Sequence, residues 1–156
     1  MSEDLRSQIG AHPLAAGLAE EAVDTLAGCA TETVFETASL LISEGESADT
    51  LYLLQAGRVS VEVHGPGRGR VVLETLGPGD VVGWSSLSPP YRWQFDVRAL
   101  EPVVTLAIDA VCVRARAEED PAFGYELMRR VGSSVLRQLQ ATRVRLLDLY
   151  GDHGPN

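Results

Sequence analysis

The residues best placed to do chemistry lie in one short run, Pro89-Pro90-Tyr91-Arg92-Trp93-Gln94-Phe95, where a guanidinium stands among aromatic rings behind a rigid Pro-Pro entry. An arginine in that setting can pair with an anion, and the rings can hold a flat ligand by stacking. The other reactive side chains form no catalytic pattern. His12, His64 and His153 are scattered, and there are no paired carboxylates, no nucleophile elbow and no Walker-type loop. A metal-dependent jelly-roll enzyme needs His and Glu ligands clustered along its strands, and these strands offer none. Cys29 and Cys112 make neither a metal spacing nor a CxxC pair, and two cysteines are too few for an iron–sulfur centre. The pattern points away from an enzyme, a metal or a cofactor and towards binding.

The segments around that run must hold it rigidly, and their periodicity says how. Residues 12–30 contain an N-terminal amphipathic helix, read over 13–28 from Leu14, Leu18, Ala22, Val23 and Leu26 and closed by Gly28. From Thr31 to Ile108 short strands alternate with Gly- and Pro-marked turns. Val59, Val61 and Val63 oppose Ser60 and Glu62, and Phe95, Val97 and Ala99 oppose Gln94, Asp96 and Arg98. Gly65-Pro66-Gly67-Arg68-Gly69 makes a hairpin tip and Gly77-Pro78-Gly79-Asp80 a further turn. Short strands at this spacing predict a sandwich, barrel or jelly roll. Residues 109–118 form a short helix. Pro121 then opens a long one to about Tyr150, as a proline suits a first helical turn.

The long helix carries Met128, Val131, Val135, Leu139, Thr142, Leu146 and Leu149 at successive steps of 3, 4, 4, 3, 4 and 3, a heptad-like seam. This predicts a parallel homodimer through residues 122–150; the alternative is a helix that covers its own domain.

A chain of 156 residues fits one domain, residues 1–156, around one core. Its net charge of −9 is uneven. Residues 1–50 carry ten acids against Arg6, whereas residues 121–150 carry five arginines against two acids. An acidic chain binds nucleic acid poorly, because phosphate contacts need cations to displace counterions. Every cation is Arg and none is Lys, which suggests a GC-rich bacterial genome. No charged leader precedes an apolar stretch, and no apolar run is long enough to span a membrane, so the expected location is the cytoplasm, with no membrane contact.

Four stretches, in order and at the right spacing, together resemble the cyclic-nucleotide-binding domain of catabolite-activator and Fnr-type regulators, kinase A regulatory subunits and gated channels. They are Ile42–Asp49 (ISEGESAD), Leu51–Val59 (LYLLQAGRV), Leu76–Gly83 (LGPGDVVG) and Val97-Arg98-Ala99. The resemblance covers roughly residues 12–150. It implies a mainly β fold with flanking helices: a double-stranded β-helix, or jelly-roll-like β-roll, over 31–108, with a phosphate-binding cassette at 79–93. Helices over 109–150 follow, ending in a long dimerisation helix. It also implies a site. Gly83 precedes Trp84-Ser85-Ser86-Leu87, the family's cassette turn, where free N–H groups attract an anion and a hydroxyl and an arginine complete its binding. The candidates are Gly83, Trp84, Ser85, Ser86, Arg92, Trp93 and, on the long helix, Thr142, which falls where the family contacts the base.

The chain departs from its relatives at the ribose. Where they place an acidic acceptor directly after the cassette glycine, this sequence has Trp84, and indole accepts no hydrogen bond. Arg92 also stands nearer to Gly83 than the family's cassette arginine and is followed by the bulky Trp93. Two outcomes stay open. The aromatic residues either line a remodelled pocket for a small anionic, nucleotide-like ligand, or they fill it and leave a ligand-free interaction subunit. No helix-turn-helix segment follows the long helix, so the expected role is a stand-alone sensor that signals through a protein partner or dimer geometry, without direct DNA binding.

Overall fold

The computed structural model describes residues 2–67 and 69–152. Arg68 at the expected hairpin tip and His153 lie outside the described residues. Helix α1 (Ser2–Ala11) leads through a 3-10 turn (Pro13–Ala15) to α2 (Glu20–Gly28). Eight strands follow: β1 (Ala30–Phe35), β2 (Leu40–Ile42), β3 (Thr50–Ala56), β4 (Val59–Gly65), β5 (Gly69–Leu76), β6 (Val81–Val82), β7 (Asp96–Ala99) and β8 (Val103–Asp109). A second 3-10 turn (Trp84–Leu87) sits between β6 and β7, and α3 (Ala110–Glu119) and α4 (Pro121–Asp152) close the chain.

The strands form two antiparallel four-stranded sheets, ordered β1-β8-β3-β6 and β2-β7-β4-β5. This is the β-roll with a long C-terminal helix that the sequence suggested. Strand β3 shows why the two sheets and the helices hold together. Leu51 and Leu53 point to the helical layer, packing with Ile9, Leu26, Leu106 and Leu127. Leu54 and Tyr52 point into the roll, against Ile42, Val59, Val97 and Trp93. Burial on both faces explains the nearly unbroken apolar run of this strand. Each fully buried leucine contributes about 1.5–3 kcal/mol of transfer free energy.

On β4 the alternation has a polar side that is also buried. Glu62 lies at 2 % exposure on the outer face, with Ser60 donating to it at 2.5 Å and Arg98 and Arg70 at 3.3 and 3.6 Å. A buried carboxylate needs such pairing to stay in the fold.

Three sequence expectations change. The single helix over 12–30 is in fact the 3-10 turn plus the shorter α2. The break falls at Gly17, whose φ of 82° takes the chain out of helical space. The turn itself is capped by His12, whose Nδ1 accepts from Leu14 N at 3.1 Å while its Nε2 faces Leu54 O at 3.2 Å. Helix α1, unforeseen, is tied down by Ile9, which is fully buried, and by Leu5 one turn before it. Finally, Cys29 and Cys112, which carried no spacing signal, are joined in a disulfide with their Cα atoms 5.8 Å apart. It links the end of α2 to α3.

The seam of α4 divides. Val131 is buried against the domain beside Phe123 and Leu127, with Val135 partly buried, but Met128 is exposed at 49 %. From Leu136 onward the apolar residues are exposed, Leu136, Leu146 and Leu147 at 58, 49 and 71 %. The first half thus packs one face on its own domain, and the second half meets the roll through the polar side chains of Gln138 and Arg145. Among the described residues no helix is long and apolar enough to cross a membrane.

Candidate functional site: a cavity between the roll and helix α4

The site is built around the turn after β6. Gly83 has φ 98°, and a Cβ there would sit 2.7 Å from Thr50 O and 3.1 Å from the Trp93 ring, so only glycine fits. The 3-10 turn that follows is pinned by Ser86, whose N–H and hydroxyl both donate to Gly83 O, at 3.0 and 2.6 Å. Ser86 is fully buried. Ser85 is buried beside it, and its hydroxyl has no partner among the described residues. From α3, Arg114 donates to Ser86 O at 2.5 Å and lies 4.0 Å over the Tyr91 ring. One guanidinium therefore clamps both ends of the cassette.

Residues Arg92 and Trp93 are stapled to the turn at Gly45 rather than to a ligand pocket. Gly45 N donates to Trp93 O at 2.9 Å, Trp93 N to Glu46 O at 3.0 Å, and the Arg92 guanidinium to Gly45 O at 3.1 Å. Trp93 is 5 % exposed and packs in the roll core under Gly83.

A cavity of about 280 Å³ opens between β4, β5, β6, the cassette and α4. Its walls are Val61, Leu76, Val81 and Val82, with Trp84 and Phe95 at one side, their ring centroids 6.1 Å apart and planes inclined by 56°. Its polar lining is Glu74, Gln94 and Gln138. Gln138 reaches from α4 and donates to Val81 O at 2.9 Å, and Gln94 donates to Arg92 O at 3.1 Å. Burial pushes the Glu74 carboxyl up, Arg145 opposes this, and the neighbouring Asp80 adds to it.

The structure thus brings Gly83 and Trp84 of the expected site to the cavity wall. It does not bring the others. Ser85 and Ser86 are buried within the turn and do not line the cavity, Arg92 is exposed and bonded to Gly45 O, Trp93 is core, and Thr142 donates to Gln138 O at 3.0 Å within its own helix. The Ser86 hydroxyl donates to Gly83 O and the Arg92 guanidinium to Gly45 O, and neither side chain lines the cavity. Glu74, Gln138 and the clamp Arg114 were not foreseen as site residues, and Phe95, though part of the aromatic run, was read as a strand residue. The one sequence signal was weak: Gln138 stands one helical turn before Thr142, on the same face.

A sequence model of the cyclic nucleotide-binding domain matches residues 32–120, more than half of the chain and all of the cassette. The chain belongs to the cyclic nucleotide-binding domain family. A putative cyclic nucleotide-binding protein from Geobacter metallireducens has a similar crystal structure, with TM-score 0.77 and 30 % identity, over 88 % of this chain and 97 % of that one. The N-terminal domain of a transcriptional regulator from Streptomyces coelicolor is also similar, with TM-score 0.67, 25 % identity, and 88 and 94 % of the two chains covered. Among curated proteins, a CRP-like cAMP-activated global transcriptional regulator of Mycobacterium tuberculosis is 25 % identical over 115 residues, 74 % of this chain and 50 % of that protein. The chain spans about half the length of the curated relatives it matches. As a cyclic nucleotide-binding domain, the chain shares a fold whose curated relatives are regulators by name.

Proposed function

We propose that this cyclic nucleotide-binding domain is a regulatory module and not an enzyme. A small ligand in the roll cavity sets the position of α4, and α4 passes that state to a second copy of the chain and on to a protein partner. The observation that carries the reading is the double role of α4. Its Gln138 is a wall of the cavity and is hydrogen-bonded to β6, while the next turns expose Leu139, Leu146, Leu147 and Leu149. An exposed apolar row on a helix is costly in water unless a partner covers it, and the heptad-like spacing suits a parallel copy of itself. The ligand-free alternative required both tryptophans to plug the roll. Trp93 does pack into the core, but Trp84 stands in the wall and leaves the cavity open. The reading gives the module no direct contact with DNA, since its first fifty residues are strongly acidic.

Native mass spectrometry of the wild-type chain and of Leu139→Glu/Leu146→Glu tests the assembly. A dimer that becomes a folded monomer in the variant supports it, and a wild-type monomer at high micromolar concentration refutes it.

A further inference from the structure

We propose that the cavity beneath α4 takes a compact, largely apolar molecule with a positively charged, N–H-donating head, an aryl- or alkylamine, and not an anion. This rests on the reading of the cavity as a ligand site and names the chemistry of its occupant.

The one charged group in the lining is an acceptor. Glu74 offers a carboxylate, and the side-chain amides of Gln138 and Gln94, which each already donate one N–H, to Val81 O and Arg92 O, add an accepting oxygen and one further N–H apiece. Among the described residues no arginine or histidine lines the cavity. The nearby guanidiniums make their contacts outside the lining: Arg92 at Gly45 O, Arg114 at Ser86 O and the Tyr91 ring, and the exposed Arg145, whose charge reaches Glu74 from the rim, at Leu73 O, 2.6 Å away.

An anion entering this space would lose its water beside Glu74, with no cation among the lining residues and only the exposed Arg145 at the rim to offset it, a costly arrangement for a buried ion. An ammonium meets the opposite conditions. It can pair with Glu74 and rest near the faces of Trp84 and Phe95, both favourable to a cation. Burial already holds the Glu74 carboxyl above its usual range, with Asp80 adding to this and Arg145 only partly offsetting it, so a cation relieves a charge that the fold tolerates poorly. At about 280 Å³ the cavity is at the small end of ligand sites, sized for one ring and a short chain.

Isothermal titration of the full chain with 2-phenylethylamine, 2-phenylethanol, phenylacetate and cAMP tests this. The four probes separate charge from shape. The amine is expected to bind at least about tenfold more tightly than the alcohol, and phenylacetate and cAMP more weakly than either. Glu74→Gln is expected to weaken the amine about tenfold or more and leave the alcohol within about twofold, which a merely misfolded variant would not do. Tighter binding of phenylacetate or cAMP, or an amine indifferent to Glu74→Gln, overturns the charge assignment and leaves the cavity reading standing. If none of the four binds, the cavity reading falls and this inference falls with it.

Discussion

Replacing both Cys29 and Cys112 by serine removes a bond that closes a loop spanning 83 residues of sequence. In the chain-entropy account, tying the unfolded chain over that length contributes about 4.5 kcal/mol at 25 °C, and measured values more often fall near 2–4 kcal/mol. For a domain of this size each kcal/mol moves the melting temperature by about 2–4 °C. The variant is therefore expected to melt about 5–15 °C below the oxidised wild type. Differential scanning calorimetry of three samples decides it: oxidised wild type, wild type with a phosphine reductant, and Cys29→Ser/Cys112→Ser. The second and third should agree with each other and fall below the first. Three coincident melting temperatures would refute the reasoning. So would thiol titration of the denatured, air-oxidised wild type that found both cysteines free.

Three further perturbations probe the interior. Arg98→Leu leaves the buried Glu62 with the Ser60 hydroxyl and the half-exposed Arg70, and is expected to cost about 3 kcal/mol in urea unfolding. Adding Glu62→Leu should recover part of that loss; a double variant less stable than Arg98→Leu alone would show that the carboxylate is not the burden. His12 is held neutral by burial, with its carbonyl contacts only partly opposing this, so its folded value lies below the ordinary ~6.5. The stability it gives is complete above that ordinary value and is lost as pH falls through the depressed one. Thermal melts from pH 7.5 down to 5 should therefore show a decline that is shallower in His12→Gln, and parallel curves would contradict it. Gly83→Ala places a Cβ against Thr50 O at a positive φ and should cost about 1–3 kcal/mol by the same unfolding assay. A neutral result would mean that the cassette turn relaxes easily.

The roll was legible in the sequence because its strands obey a simple period. Val59, Val61 and Val63 against Ser60 and Glu62 read as a strand with two faces, and the turn glycines fixed where strands end. What that pattern hid is that the polar face is also buried, since Glu62 is tolerable there through Arg98 and Arg70 from the neighbouring strands together with the Ser60 hydroxyl. Helix α1 was unreadable because its residues are mostly polar and only Leu5 and Ile9 anchor it. The helix through 13–28 was over-read because an apolar period continues across Gly17, where the backbone departs. Cys29 and Cys112 sit in elements distant in sequence and meet only through packing of α2 on α3. The cavity follows the same rule. Gly83 and Trp84 were found from local motif order, whereas Glu74 and Gln138 converge from β5 and α4, and no local spacing announces that. Arg92 stood out because a guanidinium beside aromatic rings suggests a ligand; in the structure it donates to the carbonyl of Gly45.

Helix α4 has a mechanical consequence. Beyond Gln138, fourteen more helical residues run to Asp152, a rigid rod of about 21 Å at 1.5 Å per residue. Along it the exposed Arg145–Leu73 hydrogen bond is a tether that water can readily replace. Gln138 is then a fulcrum. A tilt of about 10° at that point, the scale of a small side-chain adjustment in the cavity wall, sweeps the far end through roughly 3.6 Å. That exceeds half the distance between successive turns of a helix, so two such rods paired side by side could not keep the same knobs in the same holes.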